Sequence, residues 1–305
     1  MHTRPPSGEQ FRIAHGDASA EVTQVGATLR SYAVGGTPVL DGFDVTERAT
    51  DGRGQVLAPW PNRIADGRYS YGGREVRCPL NEPDRGDAIH GIVRWSDWSV
   101  LDHTGADVTL ACAVRPQPGY EWALALRVGY HLDDGGLTVT LTAANTGTER
   151  APFGAGFHPY LRLGDRHLDD LCLAVPAGCR VRTDVGCDTV EEPVAGTAWD
   201  LRGGRPLRGL VLDTAYGCLG RRLDGRAVAV LADPEGAHEV ALWVDEAFPY
   251  LMVYSADQVR DPGRRRRAVA VEPMSCPPQA FRTGTDVVHL EPGEGWRGRW
   301  GILPG

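Results

Sequence analysis

Two histidines stand apart from the other seven in this 305-residue chain. His90 lies in Asp87-Ala88-Ile89-His90-Gly91-Ile92-Val93-Arg94, and His158 lies in Phe153-Gly154-Ala155-Gly156-Phe157-His158-Pro159-Tyr160. Apolar residues and Gly on both sides are how a polar side chain is set into a cleft with backbone close by. A histidine in such a frame is more often a hydrogen-bonded core residue than a catalytic one, and the frame alone leaves both open. Glu272 follows Ala268-Val269-Ala270-Val271 and precedes Pro273. A carboxylate delivered there by a small, apolar strand is either an exposed strand end or a buried base with a raised pKa. Asp213 is similarly placed after Leu210-Val211-Leu212. Arg63, in Pro59-Trp60-Pro61-Asn62-Arg63-Ile64, offers a planar donor fork beside Asn62 and an aromatic. Hydroxyls want bidentate polar partners and a sugar ring wants an aromatic face, so this set suits a sugar.

Composition narrows the mechanisms. All 32 basic residues are Arg, against 40 acidic ones, for a net charge of −8. With no Lys, Schiff-base chemistry and a P-loop Lys are excluded. The acidic balance argues against nucleic acid as a partner. No apolar run reaches the ~18–20 residues that span a bilayer, and Met1-His2-Thr3-Arg4-Pro5-Pro6 has no signal-peptide core, so a cytoplasmic protein without membrane contact is expected. The seven Cys form no Cys-x-x-Cys pair, which argues against a zinc ribbon and predicts reduced thiols.

Strands must position these groups. Leu137-Thr138-Val139-Thr140-Leu141-Thr142-Ala143 alternates apolar and polar, with a turn signal at Asp133-Asp134-Gly135-Gly136 before it. Residues 108–114, 124–130, 240–244 and 250–254 read the same way, and Gly35-Gly36, Gly72-Gly73, Gly203-Gly204 and Asp224-Gly225 mark further turns. Helices are expected to be few and short. An all-β, antiparallel sandwich or barrel in one domain over 1–305 follows. The run Arg264-Arg265-Arg266-Arg267 reads as a solvated loop tip, with an anion-binding patch as the alternative.

Taken jointly, Pro61-Asn62-Arg63-Ile64 with Gly67-Arg68-Tyr69, Ile89-His90-Gly91, Phe157-His158-Pro159-Tyr160, Leu212-Asp213 and Val271-Glu272-Pro273 resemble the aldose 1-epimerase (galactose mutarotase-like) family. The resemblance runs from about residue 12 to residue 302. It implies a galactose mutarotase-like antiparallel β-sandwich with an open sugar cleft, no metal and no cofactor, in a monomer or homodimer. It implies interconversion of the α and β anomers of a hexose, with His158 as general acid and Glu272 as general base. Asn62, Arg63, His90, Tyr160 and Asp213 would bind the substrate. The segment from Gly178 to Arg208 matches no motif of the family. Three other readings stay open at this level: a sugar-binding protein without activity, a mutarotase for a phosphorylated or other anionic sugar, and a two-carboxylate glycosidase built on Asp213 and Glu272.

Overall fold

The computed structural model describes residues 4–183 and 189–304. Its elements are almost all strands, with one short α-helix, Ala280–Thr283, and two 3₁₀ turns, Leu168–Asp170 and Pro262–Arg264. All strand pairings are antiparallel, apart from one isolated parallel bridge between Ala58 and Gly91.

A nine-stranded sheet is built on the alternating segments. Leu124–Asp133 buries every second residue (Leu124, Leu126, Val128, Tyr130 and Leu132), and Gly136–Asn145 does the same with Leu137, Val139, Leu141 and Ala143. The two pair from Leu124↔Asn145 to Asp133↔Gly136, so the turn is Asp134-Gly135. The C-terminal strand Gly295–Pro304 then joins Gly136–Asn145 to Glu239–Val244. An eight-stranded sheet faces it. Its path runs Thr189–Pro193, Ala177–Thr183, Asp213–Leu219, Tyr250–Tyr254, Val269–Met274, Gly156–Phe157 and Val56–Leu57, with Tyr160–Leu161 also pairing onto Val269–Met274. Phe157 meets Trp300 of the first sheet at 5.2 Å between ring centroids, so the apolar faces of the two sheets share one core.

Val269–Met274 is buried along its whole length, which sets it apart from the half-buried strands. Val269 and Val271 face the shared core. Ala270 and Glu272 therefore face the other side, because side chains alternate along a strand. Cross-strand partners share a face. Register pairs Glu272 with Met252, Ala270 with Tyr254, and Tyr254 with Asp213. Glu272 and Asp213, 59 positions apart in the chain, are thus brought to one outer sheet face by pairing alone.

Two expectations change. Cys179 and Cys218 are joined by a disulfide, so the thiols are not all reduced. The pairing of Ala177–Thr183 with Asp213–Leu219 sets Cys179 opposite Gly217, beside Cys218, a proximity that the 39-residue separation hides. Cys78, Cys112, Cys172 and Cys276 are free, and Cys187 lies outside the described residues. The Arg264–Arg267 run is a solvated tip only in part: Arg265 and Arg267 are exposed, whereas Arg264 and Arg266 turn inward. Arg266 ties Asp169 (2.6 Å) and Asp257 (2.7 Å) to the carbonyls of Leu207 and Leu210, and Arg264 pairs with Glu47 and the Gly42 carbonyl. These side chains hold the loop after Tyr250–Tyr254 against the body of the protein. No described helix is long and apolar enough to cross a membrane.

Candidate active site

A cleft of about 690 Å³ opens on the outer face of the eight-stranded sheet. Asn62, Arg63, His90, His158, Tyr160, Asp213 and Glu272 all line it. Each arrives by a different local device.

Asn62 and His90 clasp one another. The His90 backbone N–H donates to the Asn62 carbonyl (2.9 Å), and the Asn62 N–H donates to His90 Nδ1 (3.1 Å). Both residues have left-handed backbones, at φ 52° and 63°, and flank the antiparallel strand pair of Arg63–Ala65 and Asp87–Ile89, with their side chains lining the cleft. Gly91 follows at φ 66°, where a Cβ would lie 2.0 Å from the Ala58 carbonyl oxygen, so only Gly fits. Because Nδ1 accepts, the proton of neutral His90 sits on Nε2, and the ring presents a donor.

His158 is held in an extended segment. Its N–H donates to the Gln55 carbonyl (3.2 Å) and its carbonyl accepts from Gly54 (2.9 Å). Gly52 lies against the imidazole so closely that a Cβ there would sit 2.4 Å from Cδ2. Tyr160 stacks on the ring, with centroids 5.0 Å apart and planes 16° from parallel. His158 Nε2 reaches Glu272 Oε1 at 3.3 Å. Both residues are almost fully buried, and His158 Nδ1 and Glu272 Oε2 have no hydrogen-bond partner among the described residues. A buried polar atom costs stability unless it finds a partner, and both residues line the cleft, where a bound ligand can supply one.

Burial and charge set the protonation. Burial lifts the Glu272 carboxyl well above its ordinary range, Asp213 adds to this, and Arg63 opposes it. Burial lowers His158 to about 3, with Arg53 and Arg94 pushing the same way. Burial also drives His90 well below its ordinary value. In direct contact, His158 and Glu272 therefore favour a neutral carboxyl beside a neutral imidazole. That state carries the same single proton as an imidazolium–carboxylate pair.

His90, His158 and Glu272 have donor atoms within 4.8 Å of one another, close enough to suggest a metal site. The donor set does not fit one. With Nδ1 already taken by the Asn62 N–H, His90 has only a protonated Nε2 to offer, which is a hydrogen-bond donor and not a lone pair.

Some expected partners have other places. Arg63 lines the cleft, but its Nε and Nη2 are held by both oxygens of Glu82 (2.6 and 3.0 Å), leaving Nη1 as the edge free of Glu82. Trp60 is no sugar platform: it is buried against Phe281. Trp95, 54% exposed, is the tryptophan at the cleft. The Tyr160 hydroxyl donates to the Asp51 carbonyl (2.9 Å). Sequence reasoning missed Glu82, Gly52, Arg53 and Arg94. Glu82 sits in the turn-like Asn81-Glu82-Pro83-Asp84-Arg85-Gly86 and Arg53 in Asp51-Gly52-Arg53-Gly54, compositions that read as exposed loops.

The antiparallel two-sheet body with this cleft on its outer face is the architecture of the galactose mutarotase-like proteins. A galactose 1-epimerase structure from Lactobacillus acidophilus superposes with a TM-score of 0.80 at 20% identity, covering 100% of this chain and 97% of that one. A GalM/aldose epimerase homologue from C. elegans gives 0.84 at 18% identity, over 97% and 98% of the two chains. The Aldose 1-epimerase family model matches residues 9–302, so the chain belongs to that family. Among its relatives, Escherichia coli YihR, described as uncharacterized, is 33% identical over 290 residues, covering 94% of this chain and 91% of its own. The galactose mutarotase of Mus musculus is 28% identical over 218 residues, 65% of this chain and 62% of that one.

Proposed function

We propose that the protein is an aldose 1-epimerase that interconverts the α and β anomers of a hexose, with His158 and Glu272 as its acid–base pair. The observation that carries this is the buried contact of His158 Nε2 with Glu272 Oε1 at 3.3 Å on the floor of a cleft large enough for a sugar. A protein that only binds sugar gains nothing from leaving two such groups buried with unpaired atoms.

Mutarotation breaks C1–O5, turns the aldehyde about C1–C2, and closes the ring on the other face. Glu272 as carboxylate takes the proton of the C1 hydroxyl while His158 as imidazolium protonates O5. The C1–O5 bond breaks and a C1 carbonyl forms. The pair is then a neutral carboxyl and a neutral imidazole, the state that burial favours. Ring opening thus ends in the pair's favoured state, and the cost of the charge pair falls on the step that forms it. Closure reverses both transfers and restores the starting state. His90 Nε2–H and Arg63 Nη1 supply donors to the remaining hydroxyls, with Asn62 buried beside His90 and Asp213 exposed at the rim as further polar groups. Tyr160 serves chiefly through its ring, since its hydroxyl is already engaged.

A second reading inside the same activity has an observation behind it. Arg94 lines the cleft and is half-buried, bonded to the Ile89 carbonyl (3.1 Å) and Gln55, with Glu82 nearby but no carboxylate bonded to it among the described residues. A half-buried cation that no carboxylate bonds favours a sugar that carries a negative substituent. The test is polarimetry on freshly dissolved α-D-glucose, α-D-galactose and a hexose phosphate, with wild type and His158→Ala. Wild-type acceleration that the variant loses supports the proposal. Acceleration of none of these sugars would refute it in favour of a binding protein.

A further inference from the structure

Arg53 is 1% exposed and carries a charge that mutarotation does not obviously need. Its Nε donates to Asp41 Oδ2 (3.1 Å) and its Nη1 to the carbonyl and hydroxyl of Thr50 (3.3 Å each). Its Nη2 has no partner among the described residues. Its guanidinium carbon lies 4.5 Å from the centroid of the Tyr160 ring, which in turn stacks on His158. Asp41 closes the arrangement, its backbone N–H donating to the Tyr160 carbonyl at 2.9 Å. The Tyr160 hydroxyl fastens to Asp51, two residues before Arg53. Guanidinium, phenol and imidazole therefore form a stack from the protein interior to the cleft, and its last member faces Glu272.

We propose that Arg53 is a positioning residue for His158, acting through the Tyr160 ring. The cation on the ring fixes its plane, since a guanidinium prefers an aromatic face. Tyr160 then fixes the imidazole plane so that Nε2 points at Glu272. The cation also disfavours a second positive charge on His158, so the imidazolium forms only when Glu272 is ionised opposite it. Acting on His158 are Arg53 from the 50–55 loop, Arg63, His90 and Arg94 from in and around the Arg63–Ala65 and Asp87–Ile89 strands, Tyr160 from its own segment, and Glu272 from the sheet. After burial itself, Arg53 is the strongest of the charged groups that lower its basicity. The mutarotase reading underlies the kinetic arm of the test. The spectroscopic arm is independent of it.

The test compares Arg53→Gln, Arg53→Lys and the double variant Asp41→Asn/Arg53→Gln, which also neutralises the carboxylate that Arg53 Nε holds, should the first fail to fold. Folding is checked by circular dichroism, His158 by imidazole NMR as pH is lowered, and activity by the pH profile of kcat and by KM. Removing the cation is expected to lower kcat about tenfold with KM within about twofold, and to move the acid limb of kcat upward by about half a pH unit or more. The His158 resonance should begin to titrate at correspondingly higher pH. Arg53→Lys should restore the position of the limb but only part of kcat, because the planar stack is lost. An unchanged His158 titration in the folded charge-removed variants, or a rise in KM with kcat intact, overturns the proposal. If wild type mutarotates no sugar while the NMR shift appears, the activity assignment fails and the positioning role stands.

Discussion

Glu272→Gln separates chemistry from stability, and it moves the two in opposite directions. The variant keeps the shape of the side chain but can neither accept a proton nor ionise. Loss of a positioned base lowers the rate by about 10²–10⁴-fold, a barrier increase of about 2.7–5.4 kcal/mol. The carboxyl it replaces is almost fully buried, leaves Oε2 unpaired and feels Asp213. Its pKa is raised in the folded protein, so its contribution to stability is fully present below the ordinary value of 4.5 and is lost as pH rises through the folded value. Across that window wild type loses about 1.4 kcal/mol per pH unit that the variant does not. At about 2.1 cal/mol/K per residue, a 305-residue chain has an unfolding entropy near 0.6 kcal/mol/K, so the gap in melting temperature should widen by about 2 °C per pH unit. Polarimetry reads the first effect, and thermal melts at pH 5, 6, 7 and 8 read the second. A variant with near-normal mutarotation, or one whose melting temperature falls relative to wild type as pH rises, would refute the account of a buried base.

Other expectations follow from the same geometry. His158→Gln should remove part of the acid sensitivity of the fold: the folded pKa of His158 is depressed, so its stability is present above 6.5 and is lost as pH falls toward about 3. Melting temperatures of the two proteins should therefore converge as pH falls below 6.5, and parallel curves would contradict this. Gly52→Ala combines φ +75° with a Cβ 2.4 Å from His158 Cδ2, so kcat should fall at least tenfold with a stability loss of about 1–3 kcal/mol, read by kinetics and denaturant melts. Glu82→Gln frees the Arg63 fork, and KM should rise about 3–30-fold with kcat nearly kept.

The fold was largely legible because its signals are local. Alternation in Leu124–Asp133 and Gly136–Asn145 and the paired glycines at Gly35-Gly36 and Gly72-Gly73 mark strands and hairpins that the structure contains. The framed histidines and Glu272 were legible for the same reason, since a polar group inside an apolar run is conspicuous. What stayed hidden depends on pairing at long range. Nothing in Pro83-Asp84-Arg85 says that Glu82 will take the Arg63 fork, and nothing in Asp51-Gly52-Arg53-Gly54 says that its Arg will be buried under a tyrosine. The Cys179–Cys218 link and the inward turn of Arg264 and Arg266 are of the same kind, being set by register and by carboxylates far away in the chain.

The wholly buried strand Val269–Met274 is flanked by Tyr250–Tyr254 on one side and by Gly156–Phe157 and Tyr160–Leu161 on the other. It carries Glu272, whereas Arg48, Asn81, Arg94, Trp95, Gln258 and Arg260 reach the cleft from loops. Invention and preservation are thereby assigned to different parts of the chain. On the proposed function, exchanging Arg48, Asn81 or Gln258 would change what the cleft receives while the sheet goes on holding Glu272 in place.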